Sequence, residues 1–400
     1  MSAALDLNEQ PLRRPDPLTR AAAIAPLIAA AADEIEALTE LPTRVLDALH
    51  EAALFRTLLP RAFGGDETEP VIFAQMMEII ARADASTAWC IGQASGCSMV
   101  AAYLTPEVAQ EIWGRDARAV LAWGAGPPGM ARVVDGGYHV TGSWAFTSGG
   151  RHATWLGGHC RIQERDGTLR CGGPDGEVID RTMLFRQDLV VMTENWKVIG
   201  LRGTGSDSYV VEDLFVPENF TLRRDSEKDR RQSGTLYRFS TTQLYASGFA
   251  AVALGVAGGM LEDFKGVARN KTPFGSTRML RDNSRVQAQL GIAEAKLGAS
   301  RRFLLETLRD IWDAVQLSGA LTLDQRMTIR MAATFAIHQA REVADMAYHE
   351  AGATAIFDSN PFERRFRDMH TITQQAQGNA MHFETVGAHL LGLRPNLRFV

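Results

Sequence analysis

Tyr138-His-Val-Thr-Gly-Ser-Trp-Ala-Phe-Thr-Ser-Gly-Gly-Arg-His-Ala-Thr-Trp155 is the stretch whose reading decides the rest of this chain. It begins as a strand, with Tyr138, Val140 and Gly142 on one face and His139, Thr141 and Ser143 on the other. It breaks at Gly149-Gly150, where backbone can come close to a ligand. Ser148 stands just before the break and offers a hydroxyl that can donate or accept. Trp144, Phe146 and Trp155 supply flat apolar surface. A strand end with aromatic walls, one hydroxyl and open backbone suits a planar heteroaromatic cofactor. The same residues also fit an ordinary hairpin with an aromatic core.

On either side of this stretch the texture is β. Short runs rich in β-formers alternate with Gly, Pro and Asp: Val120–Gly124, Ala131–Val134, Arg181–Phe185, Leu189–Met192 and Ser208–Val216. Glu164–Gly167 and Cys171–Gly176 read as turns. Residues 119–230 are therefore expected to form a small β domain. Residues 1–118 carry helical apolar spacing throughout. Two helices lie within 18–56, the second from Pro42 to Phe55. Further helices follow at Val71–Arg82, from Asp84 to about Tyr103, and at Thr105–Trp113. Residues 231–400 return to long helices at Tyr245–Asn270, Leu280–Ser318, Leu323–Gly352 and Asn360–Leu391, which suggests a bundle. The fold class is mostly α with a central β domain.

The bulk properties narrow the function. Four hundred residues exceed one compact core. A net charge of -5 gives no electrostatic reason to expect nucleic acid or an anionic membrane. Four cysteines are too scattered for a disulfide framework, and His159-Cys160 with Cys171 fit no zinc spacing, so loop cysteines and no metal are expected. Met1–Pro17 carries Asp6 and Glu9 where a signal peptide would be basic and apolar. The longest apolar runs fall short of the ~20 residues of a membrane span. Cytoplasm is the expected compartment.

Several strings, in order, resemble the acyl-CoA dehydrogenase superfamily across about Leu46 to Leu391. They are Leu49-His-Glu-Ala-Ala-Leu-Phe with Phe63-Gly-Gly65, Gly200-Leu-Arg-Gly-Thr-Gly-Ser-Asp-Ser-Tyr with Asp213-Leu-Phe-Val-Pro217, Phe274-Gly275, and Pro361-Phe-Glu-Arg-Arg-Phe-Arg-Asp368. The departures from the dehydrogenases are informative. Their catalytic Glu would fall on Ala376 or Gln377, and Met369–Phe383 contains no acid. An amide cannot serve as a general base. Tyr237–Tyr245, where some relatives place that Glu, holds no acid either. The loop Ala122–Met130 lacks the acid and hydroxyls of the flavin- and CoA-handling motif. Lys271 replaces an arginine and loses the planar fork.

What remains resembles the flavin monooxygenases built on this fold, the oxygenase components of two-component systems. Trp144-Ala-Phe146-Thr-Ser148-Gly149 and Asp84-Ala-Ser-Thr-Ala-Trp89 are similar to that group's strings. The resemblance implies reduced FMN or FAD supplied by a separate flavin reductase, met through free diffusion of the flavin. It implies a C4a-hydroperoxyflavin that oxygenates a small aromatic substrate, and a homotetramer. It points to Trp144, Phe146, Thr147, Ser148, Gly149, Lys271, Phe274, Gly378 and Asn379 as cofactor contacts. Trp89, Gln93, Cys97 and Trp123 become the substrate pocket, and Ser148, His370 and Gln375 the catalytic candidates. His370 reads equally as a helix histidine bonded to a neighbouring carboxylate. His338, His349, His382 and His389 read as structural. Ala94–Met99 and Gln374-Gln375 lack the histidines with which phenol hydroxylases of the group activate substrate. An indole or another electron-rich compound therefore fits better than a phenol. The other chemistry open to this fold is a flavin oxidase of the nitroalkane oxidase type, with Asp368 or Glu384 as base; a non-catalytic flavin-binding scaffold is the third reading.

Overall fold

The computed structural model describes residues 14–172 and 176–400; Gly173–Asp175 of the second expected turn and most of the N-terminal stretch read for targeting lie outside them. The first helices are α1 (Pro17–Leu38), α2 (Thr43–Glu51), α3 (Pro70–Ala83), α4 (Ala85–Ser98) and α5 (Pro106–Ala109). The strands follow: β1 (Leu121–Trp123), β2 (Gly129–Val134), β3 (Gly137–Trp144), β4 (Trp155–Gln163), β5 (Asp180–Arg186), β6 (Val191–Thr193), β7 (Ser208–Pro217) and β8 (Thr221–Leu222). The chain closes with α6 (Thr241–Asn270), α7 (Ser284–Ser318), α8 (Leu323–Ala351), α9 (Pro361–Ile372) and α10 (Met381–Leu390).

The order helices, sheet, helices is the one the texture of the sequence foretold, but several boundaries move. The second helix stops at Glu51 because Ala53 takes φ +51°, and a 3-10 turn follows at Leu54–Arg56. Expected helix Thr105–Trp113 is one α turn run on by a π turn at Gln110–Gly114. Leu189 belongs to a 3-10 turn, and the strand there is only Val191–Thr193. The expected last helix, Asn360–Leu391, is two. Gln375 Oε1 accepts from Gln377 N at 2.7 Å and Asn379 Oδ1 from Met381 N at 2.9 Å, so side chains replace the helical ladder between α9 and α10.

The sheet runs β6-β7-β3-β2-β4-β5-β8, and β1 pairs in parallel with β4. β4 was not anticipated, yet it joins β1, β2 and β5. Cys160 sits on it, fully buried, rather than in a loop. Period two holds along β3: Tyr138, Val140 and Trp144 are buried, while Thr141 and Ser143 face out.

The main hydrophobic core runs from α1 through the sheet to α9, and a small separate cluster of Met327, Val386 and Val400 lies beside it. The centre of the main core is α6, which packs on α3, α4, α8 and α9. Contrary to the sequence expectation, α6 is long and apolar enough to cross a membrane by composition, but 94% of that apolar window is buried inside the protein. Every residue of α4 is buried, and small residues let it lie close to α6. A Cβ on Gly96 would stand 2.3 Å from the Tyr245 ring. That ring cannot retreat, since it stacks on Phe249 at 5.5 Å and bonds Cys97. Gly96→Ala is therefore expected to destabilise the chain by about 1–3 kcal/mol. Gly266→Ala on α6, with open space at its Cβ, should stabilise it by about 0.5–1 kcal/mol. Urea midpoints of the two variants against the parent check both signs.

Candidate active site

β3 ends at Trp144, and the next residues turn sharply. Trp144 shares the inner face with Tyr138 and Val140. Its ring stacks on Tyr209 at 5.3 Å and its Nε1 donates to His159 O at 3.3 Å. Trp144 is 1% exposed, so it belongs to the sheet core and offers no face to a cofactor, which corrects the sequence reading. Phe146 departs from the strand at φ +61°. That leaves its ring 64% exposed and edge-on to Trp196 at 6.1 Å. Thr147 is fully buried, and its Oγ1 has no hydrogen-bond partner among the described residues. Gly149 takes φ +75°, where a Cβ would be strained and would stand 3.0 Å from His152 Nε2. Burial pushes the His152 imidazole down to about 4, so it is neutral at physiological pH.

A second segment holds this turn: Gly200-Leu-Arg-Gly-Thr-Gly-Ser-Asp207. Thr147 N donates to Asp207 O at 3.1 Å and Gly149 N to Thr204 O at 2.9 Å. Ser148 Oγ lies 2.8 Å from Ser206 Oγ, which lies 2.7 Å from Thr204 Oγ1. Thr204 Oγ1 donates to Leu201 O at 2.7 Å. The Asp207 carboxylate accepts from Arg151 Nε at 2.7 Å and from Asn195 N and Trp196 N at 2.9 Å each. It thereby fixes Trp196 beside Phe146. Leu201 N donates to Asp368 Oδ1 on α9 at 2.6 Å. The sequence offers this segment only as one of the strings of the family resemblance and gives Ser206 and Thr204 no role; two hydroxyls in a glycine-rich string were the available signal.

The four expected pocket residues come together on the seam of α4, β1 and α6. Gln93 Nε2 donates to Trp123 O at 3.1 Å and approaches Cys97 Sγ at 3.4 Å. Trp89 stacks on Phe249 at 3.8 Å. Tyr245 OH reaches Cys97 Sγ at 3.3 Å, a neighbour the sequence reading did not name. Arg224 lies over the Trp123 ring at 5.2 Å. Burial pushes the Cys97 thiol up to about 12, so it packs as a neutral group and is no nucleophile.

The C-terminal candidates are placed differently. His370 Nε2 bonds Asp345 Oδ1 at 2.9 Å, which is the helix-histidine alternative. Gln375 spends its Oε1 on the turn after α9. Gln377, one of the two residues on which the expected base slot falls, turns inward, and its Oε1 accepts from buried Arg330 Nη1 at 2.6 Å. The Gly378 carbonyl faces His338 Nε2 at 3.0 Å, and Asn379 Oδ1 accepts from Met381 N at the start of α10. Lys271 Nζ donates to Ala351 O at 2.6 Å and Thr354 Oγ1 at 2.8 Å, closing the end of α8. Phe274, three residues on, projects fully into solvent. Of the two acids flanking the slot, Asp368 is spent on Leu201 and Glu384 is exposed. Arg367 pairs with Glu363 on its own helix and with Glu36 on α1.

Residues 20–118 match the acyl-CoA dehydrogenase N-terminal domain and residues 247–379 the acyl-CoA dehydrogenase C-terminal domain. The chain is 30% identical over 351 residues to indole-3-acetate monooxygenase of Pseudomonas putida, spanning 88% of this chain and 87% of that one. It is 28% identical over 399 residues to the FADH2-dependent resorcinol hydroxylase, oxygenase component, of Rhizobium sp. strain MTP-10005, spanning 94% of each. The 3-HSA hydroxylase from Rhodococcus sp. RHA1 superposes with a TM-score of 0.87 at 26% identity, over 96% of this chain and 99% of that one. The chain belongs to the acyl-CoA dehydrogenase family, and its relatives include oxygenase components of flavin-dependent monooxygenases.

The turn after β3 fits a flavin ring. Phe146 presents an open aromatic surface, Ser148 a hydroxyl, and Thr147 a buried hydroxyl with no partner among the described residues.

The anchor of this turn titrates. Burial lifts the Asp368 carboxyl from 3.8 to about 7; nearby Asp84 and Glu36 add to the rise, while the bond from Leu201 opposes it. Between those values the folded chain keeps a proton that the unfolded chain has released, so stability falls as pH rises from about 4 to about 7. Asp368→Asn keeps an oxygen for Leu201 N–H and removes the titration. Its urea midpoint should fall less across that window than the parent's; equal slopes would exclude Asp368 as the titrating group.

Proposed function

We propose that this chain is the oxygenase component of a two-component flavin-dependent monooxygenase, acting on a small electron-rich aromatic compound of the indole type. The observation that carries the reading is the pairing of an exposed Phe146 ring and the Ser148 hydroxyl beside it with a base slot that holds an amide, Gln377, tied to Arg330. Proton abstraction from carbon has no agent there. Reduced FMN or FAD, delivered by a separate reductase, supplies the activation of dioxygen and the oxygen atom transferred.

The chain's residues do the rest. Phe146 and Trp196 flank the ring, and Ser148 meets one of its polar edge atoms. Thr147 Oγ1 is a further hydroxyl at the same turn. The Trp89, Gln93, Cys97, Trp123 and Tyr245 seam holds the aromatic substrate in a dry wall, which limits proton leakage to water. Gln93 and the Tyr245 hydroxyl are the polar groups of that wall. Lys271, Phe274, Gly378 and Asn379 lie on the bundle's corners. We assign them to the flavin of a neighbouring subunit in a homotetramer, with exposed Phe274 as the reaching residue. The cytoplasm, where reductase and flavin are available, is the compartment this reading requires.

The test is direct. The protein is incubated with a flavin reductase, NADH, FMN or FAD, and a panel of indoles, phenols, sulfides and amines, and products are examined by mass spectrometry. An added oxygen on an indole is the expected result, and Ser148→Ala should release several-fold more H2O2 per NADH with the fold retained. Anaerobic bleaching of bound flavin by a nitroalkane or an acyl-CoA, with no reductase present, would overturn the reading.

A further inference from the structure

The hydroxyls beside Ser148 form a line with a fixed sense. At its inner end Thr204 Oγ1 lies 2.7 Å from the carbonyl oxygen of Leu201. A carbonyl only accepts, so the one hydroxyl hydrogen of Thr204 is spent there. Ser206 Oγ stands 2.7 Å from Thr204 Oγ1, which has no hydrogen left, so Ser206 donates. Ser148 Oγ stands 2.8 Å from Ser206 Oγ, whose hydrogen is now also spent, so Ser148 donates in turn. All three hydrogens point inward toward Leu201. Toward any ligand, Ser148 has lone pairs only.

The inner end cannot easily turn. Leu201 sits at φ +52°, its N–H held by Asp368 and its oxygen also accepting from Trp196 Nε1 at 3.1 Å. The line is buried throughout: Thr204 and Ser206 are 2% and 3% exposed, so water does not offer a competing acceptor.

We infer that Ser206 and Thr204 are positioning residues that make Ser148 an obligate hydrogen-bond acceptor, so that the site selects reduced over oxidised flavin. This rests on the proposed function, in which Ser148 meets the flavin ring, and takes the ring atom it meets to be N5, the one whose hydrogen-bond polarity inverts on reduction. In oxidised flavin that nitrogen carries a lone pair and no hydrogen. In reduced flavin it carries a hydrogen. An acceptor-only hydroxyl bonds the reduced form and meets the oxidised form lone pair to lone pair. A site built for one hydrogen-bond polarity rejects the other because a buried group is left unmatched. An oxygenase fed by free reduced flavin thereby also lets go of the oxidised form.

Dissociation constants for oxidised and, under nitrogen, reduced FMN and FAD are measured for the parent, Ser148→Ala, Ser206→Ala, Ser206→Thr and Thr204→Val. The parent is expected to prefer reduced flavin. Ser206→Ala removes the acceptor of Ser148's hydrogen, and Thr204→Val lets Ser206 turn and release it. Each should lower the ratio of oxidised to reduced dissociation constants by about fivefold or more, the worth of one hydrogen bond. Ser206→Thr, which keeps the line, should hold the parent ratio. Thr204→Val, close in shape to the parent, keeps the test open if Ser206→Ala does not fold. A ratio unchanged in both Ser206→Ala and Thr204→Val, with Ser148→Ala still altering it, would overturn the inference and leave Ser148 as a flavin contact. Parent-like constants for both redox forms in Ser148→Ala would instead overturn the contact itself.

Discussion

The turn after β3 stays where it is because two backbone hydrogen bonds sew it to the 200–207 segment: Thr147 N to Asp207 O and Gly149 N to Thr204 O. Buried backbone groups left unpaired are costly, so these bonds fix the turn rather than merely decorate it. The same segment is tied to α9 through Leu201 and Asp368, and to α1 through Arg202 and Glu36. Both helical layers and the sheet therefore meet on eight residues. The hydroxyls of Ser148, Ser206 and Thr204 inherit their positions from that junction.

The electrostatics of the base slot follow from a different buried group. Arg330 is 1% exposed, and burial pushes its guanidinium down to about 10, still charged at neutral pH. Among the described residues its side-chain partners are neutral oxygens, the Gln377 amide and the Phe399 carbonyl. A buried charge is tolerable only where hydrogen bonds replace its lost water. Gln377 is thus held by a structural need. One of the two residues on which the resemblance puts the family's base is thereby committed to packing.

Much of this was legible in the sequence. Period two along β3 and helical spacing elsewhere are direct consequences of burial, so the three-part order could be read. The start of a helix at Asp84, whose carboxylate accepts from Thr87 N at 2.6 Å, and the aromatic and hydroxyl residues of 144–149 were visible too. What escaped had physical reasons. β4 contains Gly157-Gly158, a weak strand signal; in the fold a Cβ on Gly158 would meet the Trp144 ring at 2.6 Å. Trp144 looked like a cofactor wall because its partner Tyr209 lies sixty-five positions away, on β7. The break between α9 and α10 depends on Gln375 and Asn379 capping their own backbone, a local competition that apolar spacing does not register. The sense of the hydroxyl line needs distances, which no string of letters supplies.

The place of α6 at the centre of the core bears on how the chain comes off the ribosome. α3 and α4 are buried against a helix whose last residue is Asn270, so the early helices emerge with their apolar sides uncovered. They must wait for the whole β region to be translated before their natural cover arrives. The N-terminal third is consequently a poor candidate for folding on its own, and this long interval of nascent exposure is where chaperone protection would matter most.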